Sequence, residues 1–138
     1  MYKNILVAMD FSDQSVKAFE RAIQIAKEHH AKLELVSVVD TRAYVTVESL
    51  DPTYATKIKA DMEKDLVKYQ QKALDAGVAE VSATVEIGSP KKVLINAEGI
   101  DLIIIGATGL NLVERKLIGS VSENVVRHAK CDVLIVRS

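Results

Sequence analysis

The chain has 138 residues, about the length of one domain. Hydrophobic residues make up 49% and charged residues 27%, a balance typical of globular proteins that excludes general disorder. Its 18 basic and 19 acidic side chains leave a net charge of -1, so it lacks the basic excess of proteins that bind nucleic acid by neutralising phosphates. The single cysteine, Cys131, excludes an internal disulfide framework and fits a reducing compartment.

Membrane and export signals are missing from the sequence. No apolar run reaches the roughly 18 residues of a membrane span, and residues 1–10 lack the apolar region and cleavage site of a signal peptide. We therefore expect a soluble cytoplasmic protein, folded as one domain over residues 1–138, with neither nucleic acid nor membrane as a partner.

The first part of the chain alternates between strand and helix patterns. Residues 4–9 form a short apolar run typical of a strand buried on both faces. Ser12 follows as a helix N-cap ahead of apolar residues at helical spacing. Residues 32–39, rich in β-branched side chains, predict a second strand. Residues 40–50 have no clear period, so a short strand over 44–47 and a loop both stay open.

A long helix is predicted next. Asp51 is typical of a helix N-cap and Pro52 of a first helical residue. Apolar residues then recur at spacings of three and four, and Gly77 ends this pattern. Residues 81–87 alternate strictly between apolar and polar side chains. That alternation predicts a strand with one solvated face, at an edge of the sheet.

The remaining patterns complete an α/β fold. The sequence predicts a short helix over residues 89–99, beginning at Ser89-Pro90 and ending at Gly99. It then predicts a buried strand over 102–105, a further helix over 120–129 and a last strand over 133–136. Five strands interleaved with four helices predict one parallel sheet covered on both faces. Ligands of such sheets bind at the carboxyl ends of the strands, where the strand order switches.

A segment rich in small residues follows the strand over 102–105 and opens the next helix. Gly106-Ala107-Thr108-Gly109 is separated by nine residues from Gly119-Ser120. Glycines allow a phosphate to approach backbone amides closely, and a helix N-terminus adds unpaired N–H groups and the positive end of its dipole. Further hydroxyl donors come from Thr108, Ser120 and Ser122.

The same segment has a purely structural interpretation. Gly106 and Gly109 fit a turn after a strand, and Ser120 with Glu123 fits a capping box. The segment is neither a Walker A loop nor a dinucleotide fingerprint, which makes a flavin or dinucleotide module the weakest of the interpretations. On these residues alone, a phosphate site and a turn followed by a cap both stay open.

The spacing G-x2-G-x9-G-[ST], met here by Gly106, Gly109, Gly119 and Ser120, resembles that of ATP-binding universal stress proteins. The resemblance extends along the whole chain, through NILVAMDFS, LIIIGATGL and GSVSENVVRHAKCDVLIVR. It implies five parallel strands in the order 3-2-1-4-5, an adenine nucleotide alpha hydrolase-like fold, and ATP bound across the switch point.

The resemblance also implies a role for individual residues. Ala8 and Ile105 would line the adenine pocket, and the main chain of Val38 would meet the adenine edge. Ribose and phosphates would contact Gly106, Ala107, Thr108 and Gly109, and the phosphates would be bound by Gly119, Ser120, Val121 and Ser122. Many members carry His or Arg where this chain has Thr108, so a potential positive contact is absent.

Asp10 matches the family's acidic residue near the ribose and phosphates, although an aspartate two residues before Ser12 also fits a turn. A carboxylate beside a polyphosphate is repulsive unless a cation bridges them, which favours a role for Asp10 in holding ATP-bound Mg²⁺. Since Asp10 is the only obvious group to activate water, we expect ATP binding with at most slow hydrolysis and assign no catalytic residue.

The alternative function is a nucleotide-free homodimer of the same fold. The family pairs through its last strand, here Val133, Leu134, Ile135 and Val136, an apolar edge that would otherwise invite association. The three histidines and Cys131 have no metal-site spacing, and we expect them to have structural roles.

Overall fold

A computed structural model describes residues 1–40, 53–107 and 119–137. Within these ranges strands and helices alternate along the chain. Strands β1 to β5 comprise Asn4–Ala8, Lys32–Asp40, Val81–Gly88, Leu102–Gly106 and Asp132–Val136. Helices α1 to α4 comprise Asp13–His29, Tyr54–Asp75, Pro90–Ile95 and Ser120–His128.

The five strands of the described residues form one parallel sheet in the order β3-β2-β1-β4-β5. This confirms the predicted sheet, its strand order and the edge position of β3. The chain first winds outward from β1 to β3 and then returns to the other side of β1 with β4. The switch point therefore lies between β1 and β4, where the connections leave toward opposite faces and open a crevice.

Both faces of the sheet are covered by helices. Helices α1 and α2 pack on one face around a first-face core that includes Ile5, Val7 and Ile104. Helices α3 and α4 pack on the other face around a second-face core that includes Leu6 and Ile103. Because side chains alternate along each strand, β1 and β4 bury residues on both faces, as their continuous apolar runs predicted.

Helix α1 begins where the sequence predicted. The hydroxyl oxygen of Ser12 accepts a hydrogen bond from the Ser15 amide at 3.2 Å, which satisfies one amide of the first turn. The helix ends at His29, and His30 adopts a left-handed conformation with φ 54°. The N-cap prediction is confirmed.

Helix α2 is described from Tyr54 onward, with Thr53 as its N-cap. The predicted start at Asp51 and Pro52 lies outside the described residues, as do the alternatives for the segment that precedes it. At the other end Gly77 has a φ of 111°, and its amide donates to a carbonyl of the last turn. In the described ranges, this helix and the others are too short or too polar to cross a membrane.

Helix α3 is shorter than predicted. It begins at Pro90 after the N-cap Ser89, as expected, but it ends at Ile95 with Asn96 as the C-cap. Asparagine competes for backbone hydrogen bonds through its side chain and favours helix ends over helix interiors. The prediction that Gly99 ends the helix was therefore wrong.

Candidate functional site

Three strand ends meet at the carboxyl edge of the sheet, around the switch point. In the parallel register Ala8 of β1 pairs with Val36 of β2, so Asp10 and Val38, each two residues further along, reach the same edge. The end of β4, at Gly106, reaches this edge from the other side of β1. The fold thus brings together segments that the sequence analysis singled out separately.

An apolar surface lies on the second face at this edge. Ala8, Val38 and Val121 are half-buried, Ile105 is buried, and all four belong to or pack against the second-face core. Apolar side chains with a few polar groups nearby are the usual lining of a small-molecule site. The structure therefore places the predicted base-lining residues on one face of the sheet.

Gly106 lies where the end of β4 approaches helix α1. A Cβ atom at this position would be 2.9 Å from both the backbone carbonyl carbon and the carbonyl oxygen of Gln14. Backbone atoms cannot move aside as a flexible side chain can, so the packing of α1 against β4 by itself requires glycine here. The glycine identity has a structural cause, whether or not a ligand also approaches this backbone.

Backbone hydrogen bonds attach the start of α4 to the end of β4. The Ala107 amide donates to the Val136 carbonyl at 2.9 Å, and the Gly119 amide donates to the Ala107 carbonyl. The Ser122 hydroxyl donates to the Gly106 carbonyl at 2.7 Å. Since Ser122 is only 3% exposed, its hydroxyl is committed to this contact and the expectation of a free hydroxyl donor there is corrected. Thr108 and Gly109 lie outside the described residues.

The capping box considered for α4 does not form. Gly119, not Ser120, is the N-cap, with φ -72° and ψ 164°, and Ser120 is the exposed first residue of the helix. The Glu123 amide donates to the Gly119 carbonyl at 2.9 Å, and the Glu123 carboxylate pairs with Arg127 at 3.0 Å. Because glycine has no side chain with which to cap, the N-cap residue offers no side-chain acceptor to the first amides of α4, and among the described residues these amides are left for another acceptor.

Asp10 lies in a tight turn between β1 and α1 and is half-buried. Its Oδ1 atom accepts hydrogen bonds from the Ser12 amide at 2.9 Å and from the Ser12 hydroxyl. The Ser15 hydroxyl donates to the Ser12 carbonyl at 3.0 Å. Asp10 therefore has the turn role that the sequence allowed, and it also places a carboxylate at the switch point.

Two residues near Asp10 have features that were not predicted from the sequence. Phe11 has a φ of 64°, a left-handed conformation that non-glycine residues rarely adopt. Gln14, whose backbone lies against Gly106, has a buried Oε1 atom that accepts no hydrogen bond from the described part of the chain. Neither feature has a sequence signal, because a positive φ and an unpaired buried oxygen both depend on contacts with distant residues.

The opposite, amino-terminal edge of the sheet also has polar side chains, beside a cleft of about 600 Å³. The Tyr2 hydroxyl donates to Asp132 Oδ2 at 2.7 Å. Asp101 accepts from the backbone amides of Lys3 and Asn4 at 2.8 and 3.1 Å. These bonds tie the start of β1 to β4 and β5, so the polar groups of this edge are used by the fold.

The histidines and the cysteine lie outside the carboxyl edge. His29 accepts a hydrogen bond from the Tyr2 amide at 3.1 Å, and His128 lies in the last turn of α4, as predicted. Burial raises the pKa of the Cys131 thiol, and the charges of Asp132 and Asp101 raise it further. A thiol with a raised pKa stays protonated at neutral pH and is a poor nucleophile. Within the described ranges, no three His, Cys, Asp or Glu side chains are arranged to hold a metal ion.

Together these features define an open α/β sheet of the adenine nucleotide alpha hydrolase-like type. The model of the universal stress protein family matches residues 1–137, and the chain belongs to this family. A protein of Staphylococcus haemolyticus (strain JCSC1435) named for the same family is 46% identical over 141 residues. That alignment covers 99% of this chain and 86% of the relative.

Two solved structures of the family are similar to this chain over nearly their whole length. The universal stress protein UspA from Lactobacillus plantarum is 35% identical with a TM-score of 0.88, covering 99% of this chain and 98% of its own. A universal stress protein solved in complex with cAMP is 29% identical with a TM-score of 0.74, covering 99% of this chain and 97% of its own.

Proposed function

We propose that this protein is an ATP-binding universal stress protein, a cytoplasmic module whose nucleotide occupancy serves stress signalling, with at most slow hydrolysis. The observation that carries the proposal is the meeting of an apolar surface, a carboxylate and an uncapped helix N-terminus at one sheet edge. A nucleotide has a complementary part for each, namely base, metal-bound phosphate and phosphate oxygens. That a universal stress protein of the same fold was solved with cAMP supports an adenine nucleotide as the ligand class.

The base would rest on the apolar surface of Ala8, Val38 and Ile105, with the main chain of Val38 at the adenine edge. These side chains share the second face, and two of them retain some exposure. Ribose and phosphates would follow toward Gly106 and Ala107, with Thr108 and Gly109 as the next residues along the chain.

The phosphates would lie at the start of α4. Gly119 caps the helix without a side chain, so the amides of Ser120, Val121 and Ser122 are available to phosphate oxygens. These amides and the positive end of the helix dipole attract anions. Asp10 would hold the accompanying Mg²⁺, which supplies positive charge between the carboxylate and the phosphates when bound.

The nucleotide-free homodimer remains the second candidate, and two observations favour it. Packing against Gln14 alone requires glycine at position 106, and the Ser122 hydroxyl is already bonded to a backbone carbonyl. Part of the motif thus has a structural role without a ligand. The uncapped start of α4 has no such explanation, and for that reason we favour the nucleotide.

The direct test is to purify the protein without added nucleotide, denature it, and identify the released molecules by chromatography and mass spectrometry. We expect ATP from the wild type and none from Gly119→Val, whose branched side chain would stand in front of the α4 amides. The extended backbone of Gly119 suits valine, so the variant should keep its fold. Val126→Ala, on the outer face of α4, is the matched control and should release as much ATP as the wild type.

A protein that is empty as purified and then fails to bind Mg²⁺-ATP in calorimetry would contradict the proposal and favour the nucleotide-free dimer. Release or binding of cAMP in place of ATP would retain the site and change the ligand. With ATP as the ligand, we expect Gly119→Val to weaken binding at least about 100-fold, because several charge-assisted hydrogen bonds are lost together.

We also propose that the protein pairs through β5. This strand is an edge of the described sheet, and Val133, Leu134 and Ile135 are only half-buried. An apolar edge with unpaired backbone groups is stabilised by pairing with a second copy. Both the nucleotide-bound module and the nucleotide-free alternative are compatible with such a dimer.

For the dimer we expect Leu134→Lys to shift sedimentation velocity toward the monomer, because a buried ammonium group opposes pairing at the edge. The structure favours Leu134 over Val136 for this test, since Val136 is 4% exposed and its replacement would damage the core. Val126→Lys, at a position 50% exposed on α4, is the control. A dimer that persists in Leu134→Lys with an unchanged melting temperature would put the interface elsewhere.

A further inference from the structure

We propose that Tyr69 of helix α2, acting through the ring of Phe11, positions the Asp10 carboxylate and so sets the affinity of the site for Mg²⁺-ATP. This inference rests on the proposed function, in which Asp10 holds the nucleotide-bound cation. It assigns part of the nucleotide affinity to a helix on the opposite face of the sheet from α4.

The backbone of Phe11 has an unfavourable conformation. Its φ of 64° places it in the left-handed region, where the Cβ atom of a non-glycine residue crowds the following carbonyl. Such a conformation persists only where the surroundings hold it, and it is concentrated at functional sites. A chain that relaxed at this residue would redirect the segments on both sides of it.

Hydrogen bonds on both sides of Phe11 hold the Asp10 carboxylate in the turn. Asp10 Oδ1 accepts hydrogen bonds from the Ser12 amide and hydroxyl, so the carboxylate is bonded to the residue that follows Phe11. The Asp10 amide in turn donates to the Ser15 hydroxyl at 3.4 Å. These bonds exist only while the backbone of Phe11 keeps its turn, and the direction of the carboxylate therefore depends on that residue.

The ring of Phe11 is held by packing against an aromatic side chain of α2 and the first-face core. Its centroid lies 5.9 Å from that of Tyr69, and Phe11 packs against the first-face core. Tyr69 also meets Phe19 of α1 edge-to-face at 5.2 Å, with Lys72 Nζ 5.3 Å from the Tyr69 ring centre. Aromatic rings at such distances attract each other beyond simple burial. Tyr69 thus links the Asp10 turn to an exposed side chain on the surface of α2.

Two substitutions follow from this arrangement. Tyr69→Ala removes the ring against which Phe11 packs, and Phe11 is then free to return to a negative φ and to displace Asp10. Glycine adopts a left-handed conformation without the steric penalty. Phe11→Gly introduced together with Tyr69→Ala should therefore restore the turn, although it removes a second ring from the same cluster.

The experiment measures ATP dissociation constants by calorimetry for the wild type and the α2 variants, in Mg²⁺ and in EDTA. We expect Tyr69→Ala to weaken Mg²⁺-ATP binding about tenfold, the size of a left-handed penalty, and to bind ATP in EDTA as well as the wild type or better. Tyr69→Phe, which keeps the ring, and Val67→Ala, on the exposed face of α2, should bind as the wild type does. The Phe11→Gly/Tyr69→Ala double variant should recover to within about threefold of the wild type.

The rescue separates positioning from loss of packing, since Phe11→Gly relieves the left-handed backbone but cannot restore the ring contacts that Tyr69→Ala removes. Equal affinities of wild type and Tyr69→Ala, or a double variant that binds no more tightly than the single one, would overturn the inference. Tyr69→Leu takes the place of Tyr69→Ala should the alanine variant fail to fold. A wild type that binds no ATP would overturn the proposed function itself, a result distinct from ATP binding that is indifferent to Tyr69.

Discussion

Gly106→Ala is expected to lower the free energy of unfolding by about 2–3 kcal/mol, and the melting temperature by roughly 10 °C. The added methyl group would sit 2.9 Å from two backbone atoms of Gln14. Relief requires helix α1 or strand β4 to shift as a unit, and both are anchored in the first-face core. Chemical denaturation monitored by circular dichroism measures the change.

The matched control for this substitution is Gly99→Ala. Gly99 has a φ of 72°, but a Cβ atom there would meet no other atom within 4 Å. Alanine at that position therefore has only a conformational penalty of about 1 kcal/mol. If both variants show the same decrease in the free energy of unfolding, the clash with Gln14 is relieved at little cost. The explanation that packing requires glycine at position 106 would then fail.

The stability of the Gly106 variant bears on how the family motif is interpreted. A motif glycine that the packing of α1 against β4 requires is not by itself an indicator of a bound nucleotide. Gly119 differs, because its backbone angles suit other residues and its lack of a side chain leaves the amides of α4 open. The presence of Gly119 is therefore the better indicator of a ligand at this edge.

Asp10→Asn is expected to abolish any ATP hydrolysis and to weaken Mg²⁺-ATP binding about tenfold. Asparagine keeps an oxygen that can accept from Ser12, so the turn after β1 should survive. What it loses is the negative charge, and with it the attraction for a divalent cation and the group that would activate water. Phosphate release assays and calorimetry on the purified variant measure the two effects.

The dependence on Mg²⁺ makes the Asp10 prediction specific. In EDTA the wild-type carboxylate repels the polyphosphate, so Asp10→Asn should bind ATP as well as the wild type or better. Asp13→Asn removes a charge from the exposed first turn of α1 and is the matched control. An Asp10→Asn protein with wild-type hydrolysis, and with the same affinity in Mg²⁺, would restrict Asp10 to its role in the turn.

Most of the fold follows from local sequence patterns. The apolar runs that became β1 and β4 are continuous because both faces of these strands are covered, and the alternation in β3 reflects its edge position. Ser12 caps α1 because its hydroxyl meets an amide only three residues away. Such interactions lie within one turn or one strand, so residue type and spacing are sufficient to predict them.

The parts of the site that were missed depend on contacts across the chain. Whether Ser120 or Gly119 caps α4 is decided by how the end of β4 holds Gly119, through a hydrogen bond to Ala107. The Ser122 hydroxyl is occupied because Gly106 lies beneath the first turn of α4. Neither hydrogen bond can be predicted from local sequence patterns, because the two partners of each are not near neighbours in sequence.

The sequence by itself determined the order of strands and helices, the parallel sheet, and which segments reach its carboxyl edge, since hydrophobic period and turn residues act locally. Tertiary structure decided what the individual groups at that edge can do. It placed the backbone of Gln14 against Gly106, held Phe11 in a left-handed turn beside Tyr69, and left the amides of α4 without a side-chain cap. Each of these outcomes depends on the close approach of distant segments, and such approaches are decided only when the whole core packs.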